Sequence, residues 1–132
     1  MTIESLVMTE AKSKEKTILV VDDDDAIREA LTDVLSLEGY SVVTAANGEE
    51  GIRRMKETHP DLILLDVRMP VMDGWEFKKE MDADAEFAAT PVLVFCAFSG
   101  PPPGLNVQGI IPKPISIKII LDSIRHHIKD RP

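Results

Sequence analysis

The sequence predicts an α/β protein: a doubly wound, five-stranded parallel sheet with helices on both faces. Three observations predict it. Short apolar runs alternate with segments of helical periodicity along the chain, the pattern of strand–helix–strand crossovers. The runs TILVV, DLILL and PVLVFC are apolar at nearly every position rather than every second one, as strands covered on both faces must be. The 132 residues show no internal repeat and suit one domain, and with 44% apolar but only 5% aromatic residues its core is aliphatic.

Each element has its own signal. Residues 1–16 form a tail or a short extra helix: Ile3, Leu6 and Val7 fall at helical spacing, and AKSKEK (11–16) is a solvated linker. The first strand covers 17–21. A helix over 25–38 places Ile27, Ala30, Leu31, Val34 and Leu35 on one stripe, and Gly39 stops it. Asp24 or Asp25 caps this helix or favours its positive end. The second strand is YSVVTA (40–45). Asn47 caps a helix reaching Thr58, with Ile52 and Met55 inward, and His59-Pro60 ends it. The third strand is 61–65. A loop follows, in which Asp73-Gly74 favours a turn, and then a helix over 75–81 with Trp75 and Phe77 as packing residues. The fourth strand is 91–96.

The connection AFSGPPPGLNVQ (97–108) contains three consecutive prolines, which lack an N–H and obstruct the preceding helical turn. An extended or polyproline-like path is expected there, so the fourth helix, between strands four and five, is shortened or absent. A short fifth strand covers 109–111. The last helix, over 115–128, turns Ile117, Ile120, Leu121, Ile124 and Ile128 inward and carries His126 and His127 on its surface. Residues 130–132 are a C-terminal tail.

Composition excludes several function classes. A net charge of −8, from 23 acids against 15 bases, disfavours direct contact with nucleic acid or anionic membrane. No apolar run approaches the ~20 residues of a membrane span, and the N-terminus lacks the apolar core of a signal peptide. The single cysteine, Cys96, excludes an internal disulfide and points to a reducing, cytoplasmic setting.

Ligands of such sheets bind beyond the carboxyl ends of the strands. Asp22 and Asp23 follow strand one, Asp66 follows strand three, Cys96 ends strand four, and Lys113 lies just past strand five. In ILVVDDDDAIREAL four carboxylates stand in a row. At ~4 Å and a surface-like dielectric each adjacent pair costs up to ~4 kcal/mol, a repulsion that a cation relieves. Three carboxylates and one ammonium suit a hard divalent cation together with a phosphate. Mg²⁺ takes octahedral oxygen ligands at ~2.1 Å, and a lysine neutralises a phosphoryl oxygen as a point charge.

The segments VVDD (20–23), LLDVRMPVMDG (64–74) and KP (113–114), at these separations, resemble the receiver domain of two-component response regulators (CheY-like) over residues 17–129. The resemblance implies the flavodoxin-like strand order 2-1-3-4-5. It implies that Asp66 is the phosphoacceptor, taking a phosphoryl group from a histidine kinase or phosphotransfer protein in a phosphorelay. Asp23, Asp66 and the carbonyl of Arg68 would hold Mg²⁺, with Asp22 reaching it mainly through water. Lys113 would pair with Asp66 or its phosphoryl group, and Pro114 would hold the lysine loop after a cis peptide bond. Met69, Pro70 and Gly74 would shape the loop after the acceptor. Switch and supporting positions fall at Cys96, Ala97, Ile110 and Pro114. The expectation is a signalling module, either stand-alone or a piece of a longer protein, that is not a turnover enzyme and whose output passes through a downstream protein partner.

The chain departs from the family pattern at three places. Cys96 stands where receivers usually carry Ser or Thr, and a thiol is a weak donor. Ile110 stands where an aromatic residue is common. The stretch from Cys96 to Lys113 is several residues shorter than the family norm. Phosphorylation is therefore expected to couple to shape change weakly or differently. A non-switching docking module is the alternative. A Mg²⁺-dependent phosphohydrolase is a second, opposed by Arg68 at the position where such enzymes place another acid.

Overall fold

The computed structural model describes residues 15–67, 69, 71–96 and 104–128. They form β1 (Thr17–Val21), α1 (Asp25–Leu37), β2 (Ser41–Ala45), α2 (Gly48–Thr58), β3 (Leu62–Asp66), α3 (Gly74–Asp82), β4 (Val92–Cys96), β5 (Gly109–Pro112) and α4 (Ile117–His127). The five strands are parallel, in the order β2-β1-β3-β4-β5. This is the flavodoxin-like arrangement. No helix among the described residues is long and apolar enough to cross a membrane.

The central strands are covered on both faces, which is why their sequences are continuously apolar. Every residue of β3 and β4 is buried, whereas the edge strand β2 is mostly half-buried. Alternate residues feed two cores. Leu19, Val21, Ile63, Leu65, Val92 and Val94 meet Met55 of α2 and Phe77 and Met81 of α3 on one face. Ile18, Val20, Leu62, Leu64, Leu93, Phe95 and Ile111 meet Leu31 and Leu35 of α1 and Ile120 and Ile124 of α4 on the other.

Side chains close the helix ends. Asp24 caps α1 by accepting from the N–H groups of Ala26 and Ile27, which settles the choice between Asp24 and Asp25. Asn47 caps α2, and Asp73 is the cap of α3 rather than only a turn residue. Gly39, at φ +93°, ends α1, and His59 ends α2.

Several boundaries and faces differ from expectation. Asp61 stands before β3, where its carboxylate accepts from the N–H of Thr17 at 2.8 Å. Strand β3 therefore runs one residue later and includes Asp66 itself. The last helix begins at Ile117 because the Ser116 side chain caps it. Ile117 is consequently exposed, and Ile120 and Ile124 take the buried stripe. On α1 the stripe is Ile27–Leu31–Leu35, every fourth residue, so Ala30 is left on the exposed flank. Trp75, expected to pack, is 38% exposed, while Phe77 is fully buried.

Among the described residues there are four helices, and none lies between β4 and β5. Residues 104–108 are non-helical, and Leu105 anchors them in the core. The expectations for residues 97–103, including the three prolines, and for residues 1–14 lie outside the described residues.

Candidate functional site

Strand register builds the site. Val21 lies opposite Leu65, so Asp22 and Asp66 leave β1 and β3 at the same level. Asp66 lies opposite Phe95, and Cys96 lies opposite Pro112. Lys113 is the next residue, and its N–H donates to the carbonyl of Cys96 at 3.0 Å. Residues far apart in sequence thus reach one edge of the sheet.

At that edge, carboxylate oxygens of Asp22, Asp23 and Asp66 all lie within 4.8 Å of one another. The Lys113 Nζ donates to Asp66 Oδ1 at 3.3 Å. Asp22 and Asp66 are buried, whereas Asp23 is exposed. Asp22 Oδ1 accepts from the N–H of Asp24 at 2.9 Å. Its Oδ2 is buried and, among the described residues, makes no hydrogen bond. Burial pushes the Asp22 carboxyl up from 3.8 to about 6, helped by the negative charges of Asp66 and Asp23 and opposed by the Asp24 N–H and the Lys113 ammonium.

These residues fit a hard cation. A buried carboxylate oxygen without a donor, in a cluster of three acids, is costly unless positive charge reaches it. An all-oxygen donor set of carboxylates is the kind Mg²⁺ takes.

The loop after Asp66 is held from both sides. The N–H of Gly74 donates to the carbonyl of Val67 at 2.9 Å. A Cβ at Gly74 would stand 3.0 Å from the Val67 Cα, so a side chain there would require the loop backbone to give by a few tenths of an ångström. A Cβ at Gly48 would stand 2.6 Å from the carbonyl oxygen of Met72, so the start of α2 packs directly on the loop. Val71 adopts φ +71°, a left-handed conformation that a β-branched residue rarely takes.

The structure brings together Asp22, Asp23, Asp66 and Lys113. Pro114 follows a cis Lys113–Pro114 peptide bond. Cys96 is buried at the end of β4, and Ile110 is half-buried against the core on the α2–α3 face. Arg68, Pro70 and Ala97 lie outside the described residues. Asp25 pairs with Arg28 instead of joining the cluster. His126 and His127 occupy the last turn of α4, away from the acids.

Sequence reading missed two contributors. Gly48 carries no motif, and only the approach of Met72 reveals its role. Arg28 donates from Nη1 to the backbone carbonyl of Asp22 at 2.6 Å. Its spacing, one helical turn after the Asp24 cap, was the available signal.

Comparison with known proteins bears on this geometry. Residues 18–125 match the family model described as response regulator receiver domain. The chain is 29% identical over 120 residues to the polar-differentiation response regulator DivK of Brucella ovis, covering 87% of this chain and 98% of that protein. It is 50% identical over 60 residues to the transcriptional regulatory protein AfsQ1 of Streptomyces coelicolor, covering 46% of this chain. The chain spans only 27–34% of the length of that protein and two similar transcriptional regulators. Among solved structures, the chemotaxis response regulator CheY4 of Vibrio cholerae superposes with a TM-score of 0.81 at 29% identity, covering 86% of this chain and 99% of that one.

Proposed function

The chain belongs to the response regulator receiver domain family, and from that premise we propose that Asp66 accepts a phosphoryl group from a phosphohistidine of a kinase or phosphotransfer protein. The family-level function is that of a Mg²⁺-dependent phosphoacceptor in two-component signalling. The observation that carries the residue assignment is the cluster itself: three carboxylates within 4.8 Å and an ammonium 3.3 Å from one of them.

Asp66 is the nucleophile. One of its oxygens bonds to phosphorus, the bond from phosphorus to the donor imidazole nitrogen breaks, and the electron pair returns to that nitrogen. The product is an acyl phosphate on Asp66. Asp22, Asp23 and Asp66 would hold Mg²⁺. When bound, the ion supplies positive charge to the phosphoryl oxygens. Lys113 balances the remaining charge, and the cap of α1 at Asp24 holds the acidic turn in place. The acyl phosphate is labile and makes a reversible signal, so the protein acts as an acceptor rather than a turnover enzyme, and its output passes through contact with a downstream protein.

Incubation with a small phosphodonor and Mg²⁺ tests this. A mass gain of one phosphoryl group is expected, abolished by Asp66→Asn and by chelation of the metal. No gain in the wild-type chain, or an undiminished gain in Asp66→Asn, would refute the assignment.

One observation favours the docking reading: the buried residue at the end of β4 is a thiol, a weak donor to a phosphoryl group. In that reading the receiver fold is a docking platform that does not switch, and a phosphodonor with Mg²⁺ brings neither a Mg²⁺-dependent spectral change nor a mass gain that Asp66→Asn removes. In the acceptor reading the same thiol weakens the coupling of phosphorylation to shape change, so Cys96→Thr is expected to alter the conformational response of the phosphorylated chain, and an unchanged response refutes that role.

A further inference from the structure

We propose that Arg28 is a positioning residue for the acidic pocket, and that it acts by fixing the peptide plane between Asp22 and Asp23. The inference rests on the pocket being the metal-dependent acceptor site argued above.

Arg28 lies one turn into α1, and its side chain is mostly buried. Its Nη1 donates to the carbonyl oxygen of Asp22 at 2.6 Å, and its Nη2 pairs with the carboxylate of Asp25. Its own N–H donates to the carbonyl of Asp24 at 3.1 Å. On the other side of the turn, Asp22 Oδ1 accepts from the Asp24 N–H, and Asp24 Oδ1 accepts from Ala26 and Ile27. The guanidinium therefore closes a ring of hydrogen bonds around residues 22–28. A planar fork with donors on two nitrogens serves both acceptors at once, which a lysine ammonium at one point does less well.

The consequence falls on Asp23. A carbonyl and the N–H that follows it share one rigid plane. A donor fixed on the Asp22 carbonyl thus sets the direction in which the chain enters Asp23. Asp23 is exposed, so its aim at Asp22 and Asp66 depends on the backbone that carries it.

Electrostatics and positioning predict opposite signs here. Arg28 is a cation beside a pocket that attracts cations, so its charge alone weakens metal binding, and its removal would tighten it. If Arg28 instead holds the ligand in place, its removal loosens binding, as the loss of groups that orient metal ligands does, by about tenfold or more.

The test uses the full chain with Arg28→Ala, Arg28→Lys and Asp23→Asn. Mg²⁺ affinity is measured by titration, and exchange of the Asp24 amide is measured in the absence of metal, with the Leu64 amide in β3 as the reference for global unfolding. Arg28→Ala is expected to weaken Mg²⁺ binding about tenfold and to expose the Asp24 amide while Leu64 stays protected. Arg28→Lys is expected to fall between it and the wild type, and it carries the test if Arg28→Ala does not fold. Unchanged or tighter Mg²⁺ binding in the folded variants, or an Asp24 amide as protected as in the wild type, overturns the proposal. Failure of the wild type to bind Mg²⁺, or binding indifferent to Asp23→Asn, overturns the pocket reading instead. The metal-free exchange then still decides whether Arg28 holds the turn.

Discussion

At Asp22 one carboxylate oxygen takes the Asp24 N–H and the other is buried without a hydrogen bond among the described residues. Burial, with the neighbouring acids, holds this carboxyl at about 6 against 3.8 when solvated. Between those two values the folded chain binds more protons at this residue than the unfolded chain does. Its contribution to stability is therefore fully present below pH 3.8 and is lost as pH rises through about 6. Asp22→Asn keeps the acceptor for the Asp24 N–H and removes the charge. In chelator-treated samples at pH 7 it is expected to stabilise the protein by about 1–2 kcal/mol, with the gap to the wild type closing as the pH drops below 6. Urea denaturation at several pH values measures this. The same variant is expected to weaken Mg²⁺ binding, so stability without metal and affinity for metal move in opposite directions. The sequence reading grouped Asp22 and Asp23 and carried over from the receiver family a water-bridged contact for Asp22 and a direct one for Asp23. Only the folded chain shows that Asp22 is buried while Asp23 meets solvent.

At the scale of elements, the loop from Val67 to Gly74 shows how neighbouring segments impose a conformation. Val71 is 72% exposed, so its side chain gains little from packing, yet its backbone is left-handed. That conformation costs a residue with a Cβ roughly 1–2 kcal/mol, and asparagine tolerates it better. Val71→Asn is expected to raise stability by about 0.5–1 kcal/mol in thermal or urea unfolding. Gly48→Ala has the opposite sign. Its new Cβ would stand 2.6 Å from the Met72 carbonyl, so loop or helix must shift, at a cost of about 1–3 kcal/mol. The motif was legible in the sequence, and so was the capping potential of Asn47. The glycine between them and the loop was not, because its role exists only where two distant backbones meet.

For the molecule as a whole, one sheet separates two cores, and the strands contribute to both. Phe77 is fully buried on one face and Ile124 on the other. Phe77→Ala is expected to cost about 3–5 kcal/mol and Ile124→Ala about 2–5 kcal/mol. Because every strand of the centre is shared, both variants are expected to unfold in single transitions by tryptophan fluorescence and circular dichroism alike. Transitions at different denaturant concentrations for the two probes would mean that the faces unfold separately.

The order of elements, the buried character of the central strands, the cap at Asn47, the narrowing of the first cap to Asp24 or Asp25, and the convergence of Asp22, Asp23, Asp66 and Lys113 on one edge were all written in the sequence. Apolar periodicity, capping chemistry and strand ends are local signals, and alternation of strand and helix brings strand ends to one edge. The strand order came with the family motifs rather than with periodicity. Tertiary structure decided the rest: which acid is buried, that Ile117, Ala30 and Trp75 face outward, that Gly48 receives Met72, and that Arg28 reaches back to the Asp22 carbonyl. Those outcomes depend on register and on contacts between segments. A single chain position carries no record of what will be packed against it.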